Sequence, residues 1–134
     1  MKRLHDWQLR LAEFARERQD MPFAWGVNDC FLFSADAVMA VTGYDMAAGL
    51  RGTYSDERQA GRILRERGGL AALVDSQLGE RVPPLMANVG DIVLLDMGNH
   101  PAVGVCNGTS LLGPGAGGMV ACGMGFAKAA WRVG

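Results

Sequence analysis

The chain has 134 residues, nearly half of them apolar, and thirteen basic residues against fourteen acidic ones give a formal net charge of −1. That length suits one domain able to bury a core without staples, and the near-neutral balance excludes the electrostatic footprint of a protein that binds nucleic acid or an anionic membrane. Three cysteines without CxxC spacing cannot all pair in one chain, so reduced thiols and synthesis in the cytoplasm are expected, with neither a signal peptide nor a stable membrane anchor.

Leu4, Trp7, Leu11 and Phe14 recur at helical spacing with Arg3, Asp6, Arg10, Glu13 and Glu17 on the other faces, which predicts an amphipathic helix over residues 3–18 whose aromatic stripe packs on the body. Pro22 keeps it from continuing. The segment Phe23-Ala24-Trp25-Gly26-Val27-Asn28-Asp29-Cys30 then reads as a loop that delivers a cysteine to a helix start. Asn28 and Asp29 suit the N-cap, since their side-chain oxygens accept the unpaired N–H groups of a first turn. A thiol at Cys30 meets the positive end of the helix dipole, which favours the thiolate. The helix is expected to end at Thr42-Gly43 and to bury Phe31, Ala35, Val38 and Met39, while Ser34 and Asp36 need water or a partner.

Residues 44–54 show no sustained period and read as an irregular connection. Ser55-Asp56-Glu57 is a helix-start signature, and that helix runs to about Arg67. Gly68-Gly69 stops it, and residues 70–78 make a short helix ended by Gly79. Val82-Pro83-Pro84 is an extended corner excluded from a central strand.

From Gly90 onward the period changes, and eleven of the nineteen glycines lie between Gly90 and Gly134. Ile92–Leu95 predicts a buried strand, Asp96-Met97-Gly98-Asn99 a turn, and Pro101–Cys106 an antiparallel return. Asn107-Gly108 is a tight turn leading to a third strand at residues 109–112. Residues 113–118 read as a flexible loop and lack the Lys-Ser/Thr ending of a phosphate-binding loop. A fourth strand follows at residues 119–122, and residues 129–133 close the sheet or pack on its edge. Cys106 and Cys122 are placed on adjacent strands as core residues, with no metal or other cofactor expected.

The pieces Phe23-Ala24-Trp25-Gly26, Asp29-Cys30, Gly90-Asp91-Ile92-Val93 and Ala102-Val103-Gly104-Val105 resemble, in that order, landmarks of the NlpC-type cell-wall cysteine peptidases. With the ending Ala130-Trp131-Arg132-Val133, the chain is most similar to a small, divergent branch found in tailed phages and prophages. The resemblance implies an α+β, papain-like domain over residues 1–134. It has an N-terminal amphipathic helix within 1–20, a helical half at 28–80 and a small antiparallel sheet at 90–134.

In active members the Cys attacks a peptide carbonyl of peptidoglycan, and a His that opens the His-Val-Gly-Ile-like strand takes its proton. The thiol needs that imidazole, because at an ordinary pKa near 8.5 it is mostly protonated at neutral pH. Residue by residue, Cys30 matches the nucleophile, but Ala102 occupies the usual His position and the orienting polar residue falls near Gly113-Pro114. Phe23 lacks the hydroxyl of the family's Tyr, and Phe31-Leu32 replaces Ser-Gly after the Cys. His100, two residues before Ala102, is the candidate substitute base, and His5 a weaker one.

Two functions follow from the resemblance. One is a structural subunit of a phage or prophage tail tip, located in the virion, with a degenerate active site and other tail proteins as partners. The other is a peptidoglycan endopeptidase or amidase for phage entry, with Cys30 as nucleophile and His100 as base.

Overall fold

The computed structural model describes residues 1–96, 98 and 100–134. Four helices come first: α1 (Trp7–Arg18), α2 (Cys30–Thr42), α3 (Glu57–Glu66) and α4 (Leu70–Leu78). Strands follow as β1 (Arg81–Val82), β2 (Ile92–Asp96), β3 (Pro101–Cys106), β4 (Ser110–Gly115), β5 (Gly118–Gly123) and β6 (Ala127–Trp131), with single 3-10 turns at Pro84–Met86 and Met124–Phe126. The strands form one antiparallel sheet in the order β1-β6-β2-β3-β4-β5, so the class is α+β.

The centre is α2, capped at both ends as its sequence dictates. Asp29 is extended and accepts the Leu32 N–H at 2.9 Å, while Gly43 takes the left-handed conformation and its N–H reaches the Met39 carbonyl. Phe31 through Ala35, Ala37, Val38 and Val41 are buried, because α1 covers one flank and β3 and β4 the other. Phe14 of α1 meets Phe33 edge to face at 5.0 Å. Ile92, Val103, Val105 and Trp131 rise from the sheet into this main core, and strand alternation sends Val93, Leu95, Cys106, Leu111 and Ala130 to a second cluster on the opposite face.

Several expectations change. Helix α1 begins at Trp7 rather than residue 3, because the preceding residues bind the body: the Leu4 N–H donates to the Val41 carbonyl and the Arg3 guanidinium reaches Asp91, Val89 and Val133. Met39 is 36% exposed and lies outside the core it was assigned to. The glycine-rich segment 113–118 is no loop, since Gly113, Pro114 and Gly115 pair with Val120, Met119 and Gly118. Only Ala116 and Gly117 turn the chain there, with Pro114 opposite Met119, whose N–H instead donates to Gln19.

β6 neither closes the sheet nor lies on its edge; it is inserted between β1 and β2, with Trp131 fully buried. The two-residue β1, halted by Pro83, takes the edge. Cys106 and Cys122 are not on neighbouring strands, because β4 runs between them with Leu111 opposite both. The turn expected at Asp96–Asn99 includes Met97 and Asn99, which lie outside the described residues.

Candidate functional site

The loop before α2 is folded back on itself. Ala24 and Asn28 exchange backbone hydrogen bonds of 3.2 and 2.8 Å, and Gly26 turns between them at φ +77°. A Cβ on Gly26 would lie 2.1 Å from the Tyr54 carbonyl oxygen, so glycine is required both by the turn and by the chain passing beside it. Asn28 is fully buried: its amide donates to the Met21 and Pro22 carbonyls and its oxygen accepts from Arg18 at 3.1 Å. Asn28 therefore holds the loop to α1, and Asp29 alone caps α2.

Asp29 joins three segments. One oxygen accepts the Leu32 N–H; the other accepts the Gly26 N–H at 3.0 Å and the Tyr54 hydroxyl at 2.5 Å. Burial, reinforced by the Asp29 charge, pushes the Tyr54 phenol far above its ordinary value and keeps it a donor.

Cys30 follows Asp29 at the first position of α2. Burial pushes its thiol up to about 11 from an ordinary 9.0; the Val103 backbone amide beside it favours the thiolate, and the charge of Asp29 opposes it. This burial acts against the thiolate that the start of the helix favours. Removal from water disfavours the charged form of any thiol, whereas the dipole acts only through partial charges over one turn. A cavity of about 90 Å³ opens beside the thiol, with Trp25 and Pro101 at its exposed rim and Tyr54, Ile63, Leu64 and Leu73 among its deeper walls.

The family whose model matches this chain is described as a domain of unknown function, DUF6950, and the match covers residues 2–133. The chain belongs to the DUF6950 family. No curated protein matches it. The DUF6950 match runs from the N-terminal segment to the last core residue, and these ends meet in space, where the Arg3 Nε donates to the Val133 carbonyl at 2.8 Å.

In this DUF6950 chain no hydrogen bond among the described residues joins Cys30 to His100 or His5, and neither imidazole lines the cavity beside the thiol. Cys30 is half-buried and lines the cavity; His100 is exposed, lies just before β3, is absent from the cavity wall and makes no hydrogen bond with Cys30. His5 is exposed on the segment before α1. Ala102 packs into the second cluster, on the sheet face away from α2, whereas Val103 faces the main core that holds Cys30. Gly113 and Pro114 lie within β4 and present no hydrogen-bonding side chain. Phe31 and Leu32 are buried behind the thiol, and Phe23 stacks edge to face on Trp25 at 4.9 Å. Among the described residues no group of three His, Cys, Asp or Glu side chains could hold a metal ion.

Sequence reasoning missed Tyr54 and the ionic bracket around α2. Asp36 receives Arg18 from α1 and Arg51 from the irregular connection, both at 2.5 Å, and Arg51 also binds Asp45 at 2.9 Å. Both reach across long stretches of chain to α2, where no local periodicity announces them. The one available signal was Asp36 itself, a charge in an otherwise apolar helix that had to find a partner.

Proposed function

We propose that this chain is a papain-like, NlpC-type domain without peptidase activity that serves as a structural subunit of a phage or prophage tail tip, bound to neighbouring tail proteins in the virion. The papain-like reading is supported by a helix that opens on Cys30 and packs against β3 of an antiparallel sheet. The tail-tip reading is supported by the Trp25-Gly26, Asp29-Cys30, Gly90-Asp91 and Ala130-Trp131-Arg132-Val133 landmarks, in order.

One feature of the site supports the reading of an inactive domain. Burial pushes the Cys30 thiol up, and neither His100 nor His5 lines the cavity beside it or shares a hydrogen bond with it among the described residues. Acyl transfer by a thiol needs a base within hydrogen-bond reach or one water away, and the leaving amine needs that proton back. Tyr54 cannot substitute, because its proton is committed to Asp29 and its phenol is pushed away from ionisation.

The test is digestion of purified peptidoglycan by the full chain, followed by mass spectrometry of released fragments. No fragments above the level of Cys30→Ala are expected; release that Cys30→Ala abolishes would establish the entry peptidase instead. Purified phage particles are expected to contain the chain, and particles lacking it would overturn the tail-tip assignment.

A further inference from the structure

We infer that the cavity beside Cys30 is a socket for one branched aliphatic side chain presented by a partner polypeptide. The inference rests on the reading that Cys30 is not a nucleophile, and it follows from the size, opening and hydrogen-bond state of the cavity.

Size comes first. The cavity holds about 90 Å³. An apolar cavity of roughly 150 Å³ takes benzene or xenon, and pockets for whole small-molecule ligands run from about 300 Å³ upward. A space this small takes an isobutyl or sec-butyl group but no complete ligand, so the rest of the occupant must lie outside. Its opening permits that, since Trp25 and Pro101 are exposed while the other residues of the wall are buried or half-buried. A side chain on a backbone that runs across the rim meets both conditions. Anchors of this kind, one residue desolvated in a pocket, carry a large share of the affinity at protein interfaces.

The polar groups of the wall decide the chemistry of the occupant. Asp29 already accepts from Leu32, Gly26 and Tyr54, and the Tyr54 hydroxyl has given its proton to Asp29. Behind the rim set by Trp25 and Pro101, the side-chain donor that remains is the Cys30 thiol, a weak one. An anionic or hydrogen-bond-accepting group entering the cavity would lose water and meet only the weak thiol donor, whereas a hydrocarbon group would lose nothing and cover Ile63, Leu64 and Leu73. The three-way bond at Asp29 thus commits the Gly26, Leu32 and Tyr54 donors and leaves an apolar hole beside it.

The sequence supplies its own reporter. Ile63 in the cavity wall and Ile92 in the main core are the only isoleucines, so selective labelling of isoleucine methyls yields one signal at the site and one internal control. The full chain is titrated with xenon, with N-acetyl-leucinamide and with the similarly sized but charged N-acetyl-glutamate amide. Xenon and N-acetyl-leucinamide are expected to shift Ile63 and leave Ile92 in place, and the charged probe to shift neither.

Ala60→Leu and Leu64→Phe, which fill the cavity from α3, are expected to weaken N-acetyl-leucinamide at least about tenfold. An unmoved Ile92 signal in each variant verifies that its core is folded. A silent Ile63 under xenon overturns the socket, and so does a response to xenon without one to N-acetyl-leucinamide, or binding of the charged probe. Fragment release from peptidoglycan would overturn the non-catalytic reading whatever Ile63 does, so the two failures are told apart.

Discussion

At the scale of single residues, the site turns on how Asp29 is satisfied. Asp29→Ala removes the α2 cap and strands the Gly26 N–H and the Tyr54 hydroxyl. A loss of about 2–4 kcal/mol is expected from urea unfolding, against about 1 kcal/mol for Tyr54→Phe, which deletes one donor and leaves the cap intact. Ser34 gives the opposite case: its hydroxyl is buried in α2 with no partner among the described residues. Ser34→Ala is therefore expected to leave stability unchanged or raise it by up to about 1 kcal/mol, read from the same unfolding curves. The Asp29 cap was legible in the sequence because capping is local. Tyr54, twenty-five residues away, was not, since only the folded chain brings its hydroxyl to Asp29.

At the scale of elements, the loop Phe23–Asp29 is held by its fit against Tyr54. Gly26→Ala forces an L residue to φ +77° and drives a methyl into the Tyr54 carbonyl. A destabilisation of at least about 2 kcal/mol is expected, together with an altered Trp25 fluorescence spectrum, and an unchanged spectrum would contradict the packing described. Both ends of α2 were legible, as were α3 and α4, because Asp29, Gly43, Asp56 and Gly79 act within a turn of where they stand. The β4–β5 hairpin was not. Gly113-Pro114-Gly115 has the composition of a loop, and only pairing with residues 118–120 makes it a strand. For the same reason the last strand was expected to close the sheet or pack on its edge: the end of the chain gives no sign that the sheet will admit it between β1 and β2.

At the scale of the whole molecule, the sheet, its terminal segments and α2 are joined by few polar links. The Arg3 guanidinium donates to Asp91, Val89 and Val133 and lies 4.1 Å over the Trp7 ring, while Asp91 also accepts the Val133 and Asn88 N–H groups. Arg3→Ala leaves the Asp91 carboxylate, 2% exposed, without its counter-charge, and a loss of about 2–4 kcal/mol is expected from thermal or urea unfolding. The class and order of the fold were readable from the change of period near Gly90, whereas the Arg3 clasp joins opposite ends of the chain and leaves no local trace.

The thiol acts at this scale too, because its pKa links ionisation to folding. The Cys30 pKa is raised in the folded state, so the stability it confers is complete below 9.0 and lost as pH rises towards about 11. The native chain should lose on the order of 2 kcal/mol more than Cys30→Ala across that window, with Tyr54 adding a loss of the same sign to both.

The most direct test of a closed, unreactive site is the rate of Cys30 alkylation by iodoacetamide in the native chain, read by peptide mass mapping from about pH 6 to about pH 11. The expected profile is slow at neutral pH and still climbing, without a plateau, at the top of that range. A fast plateau at neutral pH, with an inflection well below 9.0, would mean that the thiol is activated and that Cys30 is a nucleophile after all.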